Sequence, residues 1–134
     1  MFNQIQTVTT NFYNRFKESI RSIRKLVVIK TKNFILMQDI IADAIENRWV
    51  IQFIYEGQLR IVEPFVLGLH KDTGNLVLRS YRVGGYSKSK KSPPWRLFKI
   101  AQIENLKVTN ISAQSDREYY NANDKHMSEV FNFV

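Results

Sequence analysis

Hydrophobic residues in the first third of the chain recur at the spacing of a helix. The recurring positions lie three or four residues apart and are Phe12, Phe16, Ile20, Ile23 and Val27. Because this spacing places side chains on one helical face, residues 1–34 are predicted to form a basic amphipathic N-terminal helix or extension. The β-branched run Val27–Ile29 favours an extended end to this helix.

A second helix is predicted from Ile35 to Asn47. Asn33 is a suitable N-cap, and Asn47 is expected to adopt the left-handed conformation that ends many helices. The hydrophobic stripe of this helix, which is expected to be buried, consists of Leu36, Ile40, Ile41, Ala44 and Ile45. We expect this helix to be part of the scaffold.

From Trp49 onwards the hydrophobic period changes to two, which is typical of β-strands. Turn residues divide this part of the chain into five predicted strands, which cover residues 49–56, 59–70, 75–81, 95–100 and 103–109. Residues 84–94 form a predicted polar loop. One helix followed by five short antiparallel strands is typical of a small barrel.

The predicted fold class is therefore α+β and mostly β. Residues 35–110 are predicted to form a small five-stranded antiparallel barrel with its preceding helix, and the helix of residues 1–34 is an addition to it. Residues 111–134 are predicted to form a C-terminal arm or a short helix, with Asp124 as its cap.

Composition and charge narrow the class of protein. The 134 residues are 44% hydrophobic, which favours a folded domain, and they include no cysteine. Disulfides and cysteine-based metal sites are thereby excluded, and a reducing cytoplasm is expected. The formal net charge is +8, and residues 1–36 hold seven basic residues against one acid.

The most informative charged segment runs from Arg79 to Lys99 and contains no acid. Its basic residues are Arg79, Arg82, Lys88, Lys90, Lys91, Arg96 and Lys99, and its interleaved aromatic residues are Tyr81, Tyr86, Trp95 and Phe98. A positive field beside flat rings suits a polyanion that carries stackable bases. Trp95 and Phe98 are more often core residues, so Tyr81 and Tyr86 are the better stacking candidates.

Strand alternation sorts these residues into faces. Arg79 and Tyr81 share one face of their strand, and Arg96 and Phe98 share one face of theirs. If Arg79 and Arg96 line one concave surface, they form a phosphate site, because guanidinium binds phosphate oxygens bidentately. The alternative is structural: Glu63 lies on an apolar face and, if buried, needs a partner, which one of the strand arginines is expected to supply.

The loop from Gly84 to Lys91 has two glycines, the serines at 87 and 89, and three lysines. Glycine permits a close approach of the backbone to a phosphate, which the hydroxyl of Ser87 and the backbone amides can bind. The loop lacks the spacing of a Walker motif. The alternative interpretation is a mobile, solvated basic loop.

The order of these elements and of particular residues resembles the WYL-domain family over residues 37–110. The shared pieces are Ala44-Ile45 before Phe53 and Tyr55, then Arg60, Glu63-Pro64, Gly68, Gly74, Tyr81, Gly84-Gly85, Ser87 and the run from Trp95 to Phe98. At the positions that name the family this chain has Leu76, Val77 and Leu78, so a stacking role for those aromatics is not carried over.

The resemblance implies an Sm-like small barrel, a domain found in bacterial transcription regulators and in proteins that accompany phage-defence systems. It also implies ligand sensing, with single-stranded nucleic acid as the ligand class, and frequent dimerisation. The chain is expected to lack the helix-turn-helix of the regulators and resembles the short, free-standing variety. Arg60, which matches the family pattern, becomes a third candidate for phosphate binding.

The main hypothesis is a cytoplasmic, non-enzymatic domain that binds single-stranded nucleic acid or a nucleotide-like anion, as a homodimer and without a cofactor or metal. The expected binding residues are Arg60, Arg79, Tyr81, Arg82, Tyr86, Ser87, Lys88, Lys90, Lys91, Arg96 and Lys99. His70 and His126 stand alone in the sequence, and no serine lies in a nucleophile-elbow pattern. Neither metal binding nor catalysis is therefore expected.

The alternative hypothesis is a protein-interaction or dimerisation module whose basic surface is incidental. Its docking face is the hydrophobic stripe of the N-terminal helix. The same stripe could instead pack on the barrel domain, or contact nucleic acid or a membrane surface. No run of 18 apolar residues predicts a transmembrane helix, and the N-terminus lacks the pattern of a secretory signal.

Overall fold

The computed structural model describes residues 2–86 and 93–134. The chain divides into two compact units, Met1–Ile35 and Leu36–Val134. The described part of the first unit is helical throughout. The second contains the end of the helix and all of the described strands.

A single helix, α1, runs from Phe2 to Asn47. The two predicted helices are therefore one, and both the extended segment at Val27–Ile29 and the N-cap at Asn33 are wrong. The physical reason is that residues 2–47 contain no glycine or proline. β-Branched residues cost only a few tenths of a kcal/mol each in a helix, which is too little to break it. The left-handed residue that follows the helix is Arg48 (φ 56°) and not Asn47.

The last turns of α1 pack their hydrophobic residues into the second unit. Ile41, Ala44 and Ile45 are fully buried, as the stripe predicted, and Ile40 is half-buried. Leu36 is 58% exposed, so its predicted burial is wrong. The buried stripe of this unit therefore begins one turn later than the sequence pattern suggests.

The strands form one antiparallel sheet, which confirms the α+β, mostly-β class. They are β1 (Trp49–Tyr55), β2 (Gln58–His70), β3 (Leu76–Gly85), β4 (Trp95–Lys99), β5 (Glu104–Ser112) and β6 (Met127–Phe133), with a 3₁₀ turn at Ile100–Gln102. The strand order is β4-β3-β2-β1-β5, and β6 pairs with β2. Within the described residues β4 and β5 are not paired, so the sheet is open where a five-stranded barrel was predicted.

The C-terminal segment contributes a sixth strand and not the short helix that was one of the two predicted outcomes. β6 pairs with β2 from Val66 to His70. Gly68 permits this approach, because a Cβ at this position would collide with the carbonyl oxygen of Glu129. Asp124 caps no helix, and its carboxylate instead forms the ion pair described below.

β2 is the longest strand and organises the sheet. One of its edges pairs with β3 along most of its length, and the other pairs first with β1 and then with β6. Pro64, which has no N–H to donate, lies between the β1 and β6 segments. The register of β2 against β3 shifts at Pro64 to Val66. The proline therefore marks the point at which β2 exchanges one partner for the other.

A candidate anion site on one face of the sheet

The strand register places Arg79 and Arg96 on opposite faces of the sheet. Leu97 is paired with Arg79, whereas Ser80 is paired with Arg96. Directly paired residues share a face, and neighbours along a strand point to opposite faces. The predicted phosphate site that joins Arg79 to Arg96 is therefore wrong. The sequence correctly predicted which residues of one strand share a face. It could not predict the register of β3 against β4, which decides which residues of the two strands are paired.

The register instead brings Arg96 to the face that carries two other arginines. Arg82 is two residues from Ser80, the partner of Arg96, and is itself paired with Val62. Arg60 is two residues from Val62 on β2. We call Arg60, Arg82 and Arg96 the arginine triad. All three belong to the predicted binding set, although the sequence did not group them.

Arg60 lies among aromatic rings. Its guanidinium carbon is 5.9 Å from the ring centre of Tyr55, 5.5 Å from that of Tyr86 and 6.0 Å from that of Phe98. Its terminal nitrogens are 3.4 Å from the carbonyl oxygen of Tyr55 and 3.5 Å from that of Tyr86, distances too long for strong hydrogen bonds. The side chain is only 14% exposed, because the surrounding rings cover most of it. The guanidinium is therefore restricted to one position.

Countercharge around the triad is sparse in the described part of the chain. The single ion pair joins Arg60 to Glu56 at 3.9 Å, and the Glu56 side chain is 72% exposed. A surface pair of this geometry contributes little. The triad is therefore close to a net charge of +3, with one solvated carboxylate beside it.

Two donor atoms of the triad are buried without a hydrogen-bond partner among residues 2–86 and 93–134. They are Nε of Arg60 and Nη1 of Arg82. Arg96 differs, since its Nη1 donates to the carbonyl oxygens of Pro93 and Trp95. Burial, followed by the charges of Arg82 and Arg60, lowers the pKa of Arg96. A bound anion would relieve this repulsion and accept the unused hydrogen bonds.

A cleft of about 550 Å³ opens beside the triad. Arg60 and Arg96 line it together with Glu56, Tyr86 and Phe98. This volume lies within the range of small-molecule sites. Tyr86 is 42% exposed and is the accessible ring of the cleft, whereas Phe98 is 3% exposed and belongs to the core, as expected.

Arg79 is committed to an ion pair on the other face. Its Nε donates to Oδ2 of Asp124 at 2.7 Å, and its Nη2 is 3.0 Å from Nδ1 of His126. Burial raises the pKa of Asp124, but hydrogen bonds from Arg79 and from the backbone N–H of His126 outweigh it, so that the pKa lies below its usual value. Arg79 therefore has a structural partner in this arrangement, and its ligand role stays a prediction.

We expect the Asp124 carboxylate to make the stability of the protein sensitive to acid. Because its pKa is depressed in the folded state, its contribution is complete above its ordinary pKa of 3.8 and is lost as the pH falls through the lower folded value. Asp124→Asn should cost about 1–2 kcal/mol at neutral pH. Between about pH 5 and pH 2 the free energy of unfolding should then fall less in the variant than in the wild type. Urea unfolding over this pH range checks both expectations, and parallel pH profiles would contradict the second.

Glu63 is buried and forms an ion pair, as expected. Its partner is Arg117 and not one of the strand arginines, so that part of the prediction is wrong. Nε of Arg117 donates to Oε1 of Glu63 at 2.6 Å, and the backbone N–H of Gln114 donates to Oε2 at 2.7 Å. The hydrogen bond to Glu63 raises the pKa of Arg117. The Arg117 guanidinium also covers the ring of Tyr81, 4.3 Å from its centre, so Tyr81 is not a free stacking surface.

Of the remaining predicted binding residues, the structure describes one, Lys99, and does not describe the other four. The side chain of Lys99 is exposed and shares the face of Val77, away from the triad. Ser87, Lys88, Lys90 and Lys91 lie outside the described residues. Trp95 packs edge-on against Phe65 and donates its indole N–H to the carbonyl oxygen of Glu118, so it is structural.

Sequence reasoning missed the grouping of Arg79, Asp124 and His126. His126, which stands alone in the sequence, also lies 6.5 Å from His70, measured between ring centres. The cluster borders a second cavity, of about 340 Å³, which Trp95, Tyr119 and Tyr120 also line. In this cluster Arg79 and Asp124 already form an ion pair with each other. The arginine triad, in contrast, has buried donors without a hydrogen-bond partner among the described residues. No local signal pointed to the cluster, because 45 residues separate Arg79 from Asp124.

In the part of the chain that the structure describes, no group of three or more histidine, cysteine or acidic side chains is arranged to hold a metal ion. None of its described helices combines the length and the hydropathy that a membrane span requires. Comparison with protein-family models, curated proteins and solved structures finds no match to this chain.

Proposed function

We propose that the protein binds single-stranded nucleic acid or a nucleotide-like anion through the arginine triad, without catalysing a reaction. The observation that carries the proposal is that three arginines from three strands share one face of the sheet. Two of them, Arg60 and Arg96, line a cleft whose one lining carboxylate, that of Glu56, is solvated. A fold alone gains nothing from such a concentration of like charge, which opposes folding. A phosphate ligand would offset that repulsion.

The donors left unused in the triad suit phosphate in particular. Guanidinium groups present forked N–H donors that match two phosphate oxygens, and hydrogen bonds of this kind are stronger than those between neutral groups. Arg60 and Arg96 line the same cleft, so one phosphate group can accept hydrogen bonds from both. Arg82, which raises the positive potential at Arg96, adds attraction over a longer range.

Tyr86 gives the site its preference for a ligand with a base. The residue is 42% exposed and lines the cleft, and the Arg60 guanidinium lies 5.5 Å from the centre of its ring. A nucleobase stacked on such a ring contributes to binding with little sequence preference. We therefore expect single strands, whose bases are accessible, to bind more tightly than duplexes.

The resemblance to the WYL-domain family supports the same ligand class. Arg60 and the run from Trp95 to Phe98, which contains Arg96, are among the residues that carry the resemblance. On this proposal the open sheet is a variant of the Sm-like small barrel, and the protein acts as a cytoplasmic homodimeric regulatory domain. The second candidate function, an interaction module, is favoured by the exposed hydrophobic side chains of the N-terminal unit.

Salt dependence of oligonucleotide binding tests the proposal. Fluorescence anisotropy with a labelled short single strand should show binding at low salt, with a logarithmic slope against salt concentration of about −2 if three phosphates are neutralised. A duplex of the same length should bind more weakly. Absence of binding to either probe at low salt would contradict the proposal and favour the interaction module.

A further inference from the structure

The described N-terminal unit exposes a series of large hydrophobic side chains. Seven of them form one series, Ile5, Val8, Phe12, Phe16, Ile23, Leu26 and Val27, and each is between 52% and 71% exposed. Tyr13, Val28, Ile29 and Ile35 are exposed as well but lie on other sides of the helix. Single exposed hydrophobic residues are common on protein surfaces, but a contiguous series marks an interaction surface. We call this series the apolar stripe.

The apolar stripe occupies one side of the helix. At 100° per residue, the seven side chains fall within an arc of about 100°. The helical part of this unit is about 50 Å long, at 1.5 Å per residue. The stripe therefore presents a long, continuous surface and not a compact patch.

The rest of the unit is strongly basic. Its basic residues are Arg15, Lys17, Arg21, Arg24, Lys25, Lys30 and Lys32, and its one acid is Glu18. Among the basic residues only Lys30 falls inside the arc of the stripe, whereas Arg15 lies about 20° beyond one border and Arg24 about 60° beyond the other. Long side chains at such borders can bury their methylene groups along an apolar surface and keep their charge in a polar layer.

This charge distribution decides between the possible occupants of the stripe. Two copies of the helix would each bring seven basic residues and one acid to the same interface, where like charges beside the seam oppose pairing. An anionic lipid surface satisfies both features, since it accepts apolar side chains below its headgroups and attracts the basic residues above them. We propose that this helix lies along an anionic lipid bilayer with the apolar stripe inserted.

Phe12 and Phe16 are central to the proposed contact. They lie one turn apart and are 71% and 58% exposed. Arg15 and Lys17 are the neighbours of Phe16 in the sequence. The proposal does not involve the arginine triad, so its outcome is separate from that of nucleic-acid binding.

Co-sedimentation of the full chain with lipid vesicles tests this inference. Vesicles that contain phosphatidylglycerol should bind the protein, and vesicles of phosphatidylcholine alone should bind it at least tenfold more weakly. Phe12→Ala with Phe16→Ala keeps the helix propensity and should lower the affinity for anionic vesicles by about tenfold or more. Tyr119→Asn is the matched control, because it removes an aromatic ring that is 86% exposed outside this helix and should leave vesicle binding unchanged.

Arg21→Gln, Arg24→Gln and Lys25→Gln combined should also weaken binding to anionic vesicles and reduce its salt dependence. Equal binding to both kinds of vesicle, or full binding by the Phe12 and Phe16 variant, would overturn the inference. So would a dimer in solution that the same phenylalanine substitutions dissociate, if the wild type does not bind vesicles. The stripe would then be a contact between two copies of the chain.

Discussion

Replacing Arg60 and Arg96 together with alanine is expected to weaken the binding of a short single-stranded oligonucleotide by about 100-fold. Each of these side chains would donate charge-assisted hydrogen bonds to phosphate, which contribute about 1.5–3 kcal/mol apiece. Since 1.4 kcal/mol corresponds to a factor of ten, loss of both reaches 100-fold. The substitutions also remove like charges that repel Arg82, whereas the loss of Arg60 removes its packing against three aromatic rings. Urea unfolding of the variant separates this packing loss from the loss of binding.

Lys99→Ala is the matched control for this prediction. Lys99 lies on β4, as Arg96 does, and its removal takes away one positive charge, as Arg96→Ala alone does, but its side chain is on the other face of the sheet. We expect it to weaken binding by no more than threefold or so, through the general field alone. Anisotropy titrations at one salt concentration measure all of these affinities. A loss at Lys99 equal to that at Arg96 would mean that the surface binds by net charge and that the triad is not a site.

Replacing Arg117 with alanine is expected to cost about 3–5 kcal/mol of the free energy of unfolding. Glu63 is only 2% exposed, and Arg117 is its charged partner at 2.6 Å. Without Arg117 the carboxylate keeps the N–H of Gln114 and the longer-range attraction of Arg48, but it loses its only ion pair with the described residues while remaining buried. The ring of Tyr81 also loses the cation that covers it. Few small domains tolerate such a loss, so the variant should melt well below the wild type.

Urea denaturation with Lys107→Ala as the control measures this effect. Lys107 is exposed on β5 and forms no ion pair with the described residues, so its loss should change the stability by less than about 0.5 kcal/mol. A similarly small change in Arg117→Ala would show that water or another group compensates Glu63. The structural role assigned to this ion pair would then be wrong.

Local patterns predicted the elements of this fold better than their connections. Alternation from Trp49 identified β1, and turn residues such as Gly74 separated the strands, because these signals lie within a few residues of one another. The break between two helices was predicted from Val27–Ile29, where weak propensity did not overcome a helix without glycine or proline. β6 was missed because its pairing with β2, more than 55 residues earlier in the chain, leaves no local trace.

The candidate site illustrates the same limit. Arg60, Arg82, Arg96 and Tyr86 all belong to the set predicted from charge and the family resemblance. The sequence suggested a site shared by Arg96 and Arg79 only on the condition that both line one surface, and they do not. Which arginines meet depends on the offset between β3 and β4, and hydrophobic alternation does not determine this offset when the connecting loop is long. Asp124 and Arg117, the ion-pair partners of Arg79 and Glu63, lie in the C-terminal segment. Nothing in the sequence around them indicates that they form these ion pairs.

The central claim is that Arg60, Arg82 and Arg96 form one anion site on one face of the sheet. NMR of the arginine side-chain Nε–Hε groups during titration with a short single-stranded oligonucleotide tests it most directly. The account predicts that the signals of these three residues shift together and saturate, while those of Arg79 and Arg117, held by Asp124 and Glu63, stay in place. Shifts at Arg79 or Arg117 with no change at the triad would contradict it.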